Sequence, residues 1–201
     1  MITTKVNVFS SGNDLTQKFE IPSDGSFYDP LKYMVEAFIR FPKLLIGIIN
    51  GPAIGIGATI LALCDILYAS EKAYFYTPFT NLALCAEGCS SVTFPRILGT
   101  SKANEMLNLN HKMSAKEAHA FGFVSHVYKS EQEVWDKLEQ IKEFPLGSIL
   151  ANKKLSRKFT ISELENANNN EIECLTERMY SGDALAAMVK FQDSRQSKSK
   201  L

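Results

Sequence analysis

The chain has 201 residues, enough for one sizeable core, and its 45% hydrophobic and 22% charged residues are the balance of an ordinary globular domain. Lys plus Arg and Asp plus Glu number 22 each, so no net field favours nucleic acid or an anionic membrane surface. Four cysteines (Cys64, Cys85, Cys89, Cys174) without a CxxC pair, behind a short polar start, suit reduced thiols in a chain with no signal peptide.

Apolar residues at helical spacing from Leu31 to Ile39 predict a helix that stops before Pro42, followed by a buried strand over Leu44–Ile49. The run from Leu44 to Cys64 carries no charge and approaches the length of a membrane span. Asn50-Gly51-Pro52 breaks it in the middle, so it reads as strand, glycine-rich turn and a buried helix starting near Gly55. Short strands are predicted at "DILYAS" from Asp65 and "AYFY" from Ala73. A helix from Gly88 to Leu98, kinked at Pro95, and a second at "SKANEMLNL" come next. Ser114, Glu117 and Gly122 mark the two ends of another helix, and "FVSHVY" reads as a strand. From Glu131 to Gln192 the pattern is helical, with apolar stripes at Val134/Leu138/Ile141 and Leu185/Met188/Val189, interrupted at Pro145-Leu146-Gly147. Strands alternating with helices predict an α/β core with parallel layers over 1–129 and a helical region over 130–201. The "NANNN" stretch, Asn166 to Asn170, is a polar helix face or a loop.

Chemistry-bearing motifs are few. Asn50–Ile60, "NGPAIGIGATI", has neither a Walker lysine nor the third glycine of a dinucleotide loop. It is either a plain strand-to-helix turn or a helix start whose free N–H groups could hold an oxyanion. "FSSGNDL", Phe9 to Leu15, is a polar turn in which Gly12 permits close backbone approach. His111 and His119 flank a helix start and read as exposed or capping. Cys85 and Cys89 stand four apart, but no histidine lies near them in sequence (His126 is the third), and no metal site is expected. Glu87, in "CAEGCSS", has no charged neighbour between Lys72 and Arg96. Burial among apolar residues would raise its pKa and suit it to general-base work, whereas an unseen cationic partner or a place at an exposed helix start would make it ordinary. The terminal Ser199-Lys200-Leu201 is the tripeptide read by the peroxisomal import receptor.

In order and spacing, "FSSGNDL", "FPKLLIGIINGPAIGIGATILALCDILYAS", "AYFYTPFTNLALCAEGCSSVTFPRILG" and the terminal "SKL" together resemble the crotonase (enoyl-CoA hydratase/isomerase) superfamily, from Phe9 to Leu201. Its Δ3,Δ2-enoyl-CoA isomerase branch is the most similar. The resemblance implies a crotonase (ClpP/crotonase-like ββα spiral) fold with a C-terminal helical region, a homotrimer, no cofactor beyond the coenzyme A of the substrate, and no metal. It implies an oxyanion hole made by the backbone N–H groups of Asn13 and Ile56, with Ser11, Gly12, Asn13, Asp14 and Leu15 along the acyl-CoA path. The hydratases' two glutamates correspond to Thr59 and Phe79 here, while the single glutamate of the isomerases corresponds to Glu87. Only Met1 to Val8 precede the first glycine stretch, where the family has opening strands. The implied fold therefore lacks N-terminal strands, which would expose sheet edges and could disturb the loop carrying Asn13. Two readings follow: an isomerase shifting the double bond of a 3-cis or 3-trans-enoyl-CoA in peroxisomal β-oxidation, or a catalytically impaired acyl-CoA-binding or modulatory short form.

Overall fold

The computed structural model describes residues 1–4, 6–14 and 26–198, without the side chains of Met188 and residues 192–198. A 3-10 turn (Ser26–Tyr28) leads into α1 (Asp29–Ile39), where Pro30 occupies the first turn and needs no intrahelical donor. Leu31, Val35 and Ile39 are its buried positions, and it ends before Pro42. Strand β1 (Ile46–Ile49) is buried at all four positions, the burial of a strand covered on both faces. After the Asn50–Pro52 turn come β2 (Ala53–Ile54), α2 (Ile56–Thr59) and a 3-10 turn (Ile60–Leu63). The single buried helix expected from Gly55 is thus split into one α turn and one 3-10 turn. The expected glycine turn contains a two-residue strand that apolar patterning is too short to reveal.

Strands β3 (Ile66–Ser70) and β4 (Tyr74–Tyr76) follow, then a 3-10 turn at Thr80–Leu82. Helix α3 (Ser90–Leu98) holds Pro95 inside it, and α4 (Thr100–Leu109) continues directly. Strand β5 (Lys112–Ser114), absent from the sequence-based prediction, precedes α5 (Ala115–Ala120), which carries the expected capping box between Ser114 and Glu117. Strand β6 (His126–Tyr128) is followed by helices only: α6 (Glu131–Ile141), α7 (Leu146–Arg157), α8 (Ile161–Met179) and α9 (Gly182–Lys198).

The strands form two three-stranded sheets. One is parallel in the order β1-β3-β6, with Ile46 opposite Ile66 and Tyr68 opposite His126. The other, in the order β2-β4-β5, pairs Ala53 with Phe75 in parallel and Tyr74 with Ser114 antiparallel, so the layers are not all parallel as expected. The first residues of the chain partly line both edges. Ile2 bridges Gly47 beside β1, and Ser10 bridges Ala53 beside β2. Ile54 N–H donates to Ser10 O at 2.9 Å, so the Gly12 loop leaves directly from the β2 edge.

Phe75, Phe94 and Phe123 meet edge to face at 5.1 and 5.6 Å in a core shared by both sheets, α1, α3, α4 and α8. Asn168, on the buried face of α8, donates to Lys32 O at 3.1 Å and ties that helix to α1. The "NANNN" stretch is therefore helical, with one asparagine turned inward. Cys89 is fully buried and donates to Leu164 O, whereas Cys64 and Cys85 are half-buried. All four thiols are free. No described helix is long and apolar enough to cross a membrane.

Helix α7 is held by a largely buried ionic cluster. Asp65 accepts from Lys153, from Arg157 at 3.2 Å, and from the Leu45 N–H at 2.8 Å. Replacing Asp65 by Ala strands two cations and one N–H. Urea unfolding of the Asp65→Ala variant is expected to show a loss of about 3 kcal/mol; a loss below about 1 kcal/mol would show that the cluster does not hold α7.

Candidate active site

Glu87 sits at the head of α3. The turn that delivers it uses two left-handed residues, Gly88 at φ +66° and Cys89 at φ +63°. A Cβ on Gly88 would lie 2.6 Å from Thr59 Oγ1, so the position accepts glycine for both conformation and space. The Ser90 hydroxyl donates to Glu87 O at 2.7 Å and closes the turn. Upstream, the left-handed Ala83 offers its carbonyl to Arg178 Nε at 2.9 Å, which pins the loop leading to Glu87. Helix α3 has no side-chain cap of its own. Its first N–H groups instead meet a remote carboxylate: Glu171, on α8, accepts from Cys89 N–H at 2.7 Å and from Ser91 N–H at 2.9 Å.

The structure brings the two glycine stretches together. Gly55, at φ +57°, begins α2, and a Cβ placed on it would lie 3.9 Å from Gly12 Cα and 3.8 Å from Glu87 Oε1. Gly12, at φ +79°, packs so closely on Ile54 that a Cβ there would come within 2.8 Å of its carbonyl oxygen. Asn13 is exposed beside it and Ile56 is buried at the helix start. Ser11, Gly12, Asn13 and Asp14 share one cavity with Gly55 and Glu87, and Leu15 lies outside the described residues. The terminal Ser199-Lys200-Leu201 is outside them as well.

The cavity measures about 1100 Å³. Its apolar wall includes Tyr28, Leu31, Phe79 and Leu84 from the core and Leu175 and Met179 from α8, and Lys190 and Phe191 of α9 line it too. Thr59 is fully buried and Phe79 is part of the cavity wall, and neither side chain is a carboxylate. His111 faces Glu117 at 3.1 Å and His119 faces Val124 O at 2.9 Å, both away from these residues.

Glu87 is 5% exposed, and no ion pair among the described residues includes it. Neither ordinary alternative for this residue, a cationic partner or an exposed helix start, is what surrounds it. Burial pushes its carboxyl up to about 8, the charge of Glu171 pushes in the same direction, and the Ile56 N–H pulls it back. Burial also raises the Tyr28 phenol, with the Glu87 carboxylate adding to it, so a neutral hydroxyl faces the base. Sequence reasoning missed Tyr28, Glu171 and the contribution of α8 and α9. The one available signal for Glu171 is a charge set on the apolar spacing Leu164, Ala167, Asn168, Glu171, Leu175.

Chemically, the arrangement is a carboxylate of raised basicity beside a helix start, in a largely apolar cavity. Comparison with known proteins assigns the chain. Residues 1–199 match the family described as Enoyl-CoA hydratase/isomerase. The chain belongs to that family. It is 40% identical to human enoyl-CoA delta isomerase 2 over 98% of its length, covering 52% of that protein. It is 39% identical to mouse "enoyl-CoA delta isomerase 3, peroxisomal" over 96% of its length, covering 63% of that protein. The solved structure of Pseudomonas aeruginosa OdaA superposes with a TM-score of 0.83 at 31% identity, over 91% of this chain and 75% of that one. The fold is the crotonase fold with a helical C-terminal region. The chain spans about half the length of the human relative it matches.

The raised Glu87 pKa makes a signed prediction. Between about pH 4.5 and 8 the folded chain holds a proton that the unfolded chain has lost, so ionising Glu87 costs stability as pH rises. Glu87→Gln is expected to melt above wild type, with the gap widening from pH 5 to pH 9 in thermal scans. A constant or shrinking gap would mean that the carboxyl titrates in its ordinary range.

Proposed function

We propose that the chain is a Δ3,Δ2-enoyl-CoA isomerase acting on unsaturated acyl-CoA, with Glu87 as its single base. The observation that carries this reading is a buried carboxylate with raised pKa, facing the Gly55–Ile56 turn, while positions 59 and 79 carry no second carboxylate. Moving a double bond needs one proton to leave C2 and return at C4, which one base can do. Hydration needs a water to be placed and activated, and Thr59 and Phe79 are not groups for that task.

In the proposed reaction Glu87 takes a proton from C2 of the 3-enoyl thioester. The C–H electrons spread into a dienolate, with negative charge on the thioester oxygen, and the proton returns to C4, leaving the double bond at C2–C3. The N–H groups of Asn13 and Ile56 are the proposed donors to that oxygen, each worth ~3 kcal/mol in the transition state. The Ile56 N–H also faces Glu87 in the free chain and favours its ionised form. When the thioester oxygen takes over this donor, the carboxylate facing C2 becomes more basic. The reading involves no cofactor and no metal, coenzyme A being part of the substrate. Peroxisomal location, capture of Ser199-Lys200-Leu201 by the import receptor, and assembly as a homotrimer belong to the same proposal. The name of the mouse relative and the terminal tripeptide support the first two.

The test is conversion of 3-enoyl-CoA to 2-trans-enoyl-CoA by the purified chain. Wild type should turn over with kcat/KM rising through about pH 8, the pKa of the free base. Glu87→Gln should lose about 10³-fold in kcat and still bind a saturated acyl-CoA. Turnover by Glu87→Gln near the wild-type rate would refute the assignment. Acyl-CoA binding by wild type without turnover would instead favour a modulatory, catalytically impaired form.

A further inference from the structure

Glu171 is a carboxylate 5% exposed on the buried face of α8, and no ion pair among the described residues includes it. A buried charge without a counter-ion requires strong hydrogen bonds, and here both oxygens receive one. Oε2 accepts from Cys89 N–H and Oε1 from Ser91 N–H, the free donors at the start of α3, where the helix dipole also favours an anion. These two residues lie two and four places after Glu87. Only Gly88 stands between Glu87 and the first clamped residue, the left-handed Cys89.

We propose that Glu171 is a positioning residue for Glu87: its carboxylate clamps the two N–H groups that begin α3, fixing the turn from which Glu87 projects, and it sets a second carboxyl where it acts on the base. This rests on the reading of Glu87 as the base. A neutral amide of similar shape has one acceptor oxygen, so it would keep one of the two N–H bonds and would not carry the charge. The groups that interact with Glu87 are Tyr28 before α1, Cys85 in its own loop and Glu171 on α8, while Asp14 in the Gly12 loop and Lys190 on α9 line the same cavity. Tyr28 and Cys85 are held neutral by burial. Burial raises Glu171 itself, and the Cys89 and Ser91 donors oppose that rise. Like charges set against each other push apart the protonation of a carboxyl pair, so that one serves as anchor and the other as base.

The experiment compares wild type, Glu171→Gln and Glu171→Asp in two readouts. The first is the pH profile of 3-enoyl-CoA isomerisation from pH 6 to 10. The second is infrared titration of the Glu87 carboxyl, each protein measured against its own Glu87→Gln partner, which needs no turnover. Glu171→Gln is expected to lower kcat about tenfold, one misplaced catalytic group being worth that order, with KM within about twofold. The acid limb and the infrared midpoint should both fall by about one pH unit, and Glu171→Asp should lie between Gln and wild type. A limb and midpoint unmoved in the folded variants, whatever the loss of rate, would overturn the proposal and leave Glu171 as a helix cap. Should Glu171→Gln not fold, the Asp variant decides by the same criterion. A wild-type chain with no isomerase activity would refute the functional reading instead, while the infrared midpoints still decide the role of Glu171.

Discussion

A carboxylate held in an apolar wall, with another carboxylate as the nearest influential charge, destabilises the chain that carries it, and much of this molecule is arranged around that position. Glu87 reaches its place through a turn that requires glycine at residue 88, a left-handed backbone at Cys89 and the Ser90 hydroxyl closing on the Glu87 carbonyl. The turn stays in place because α3 is gripped by Glu171, and Glu171 is positioned by α8, whose inner face packs on α1 and is tied to Lys32 through Asn168. The base therefore depends on a helix more than eighty residues along the chain. The ordering of α8 and the protonation of Glu87 become parts of one problem.

The cavity in front of the base has a similar origin. Both glycine loops start from the β2 edge, one through the Ser10–Ala53 bridge and the other through Gly55, whose N–H donates to Tyr76 O at 2.8 Å. Placing Gly12 against Gly55 brings the two glycine turns into one cavity. Apolar residues of α1, α8 and the Phe79–Leu84 segment line it as well. Water kept away from such a surface makes each donor and charge count for more. That is the setting in which a weak carbon acid can lose a proton to a carboxylate.

Much of this was legible from residues with local meaning. The helix over Leu31–Ile39, the buried strand before Asn50, the capping box at Ser114 and Glu117, and the isolation of Glu87 between Lys72 and Arg96 are all local signals. The pieces that escaped are those whose meaning is tertiary. Strands β2 and β5 have two and three residues, too few for any periodicity, and exist because a neighbouring strand supplies their hydrogen bonds. Tyr28 gives no hint that its hydroxyl lies near Glu87. Glu171 stands in a polar stretch, and its burial is visible only once Leu164, Ala167 and Leu175 are seen to share its face. Sheet edges were expected to be exposed for want of opening strands, and single bridges at Ile2 and Ser10 partly cover the edges at β1 and β2.

The central claim is that one buried carboxylate carries a proton from C2 to C4 of an enoyl thioester. It is tested most directly by supplying the purified chain with 3-enoyl-CoA bearing deuterium on C2 and following the label by NMR. Because Glu87 is only 5% exposed, its proton should exchange slowly with water, and the account predicts 2-trans-enoyl-CoA with deuterium recovered at C4. Formation of 3-hydroxyacyl-CoA, or of 2-trans-enoyl-CoA whose C4 carries only solvent hydrogen, would contradict it.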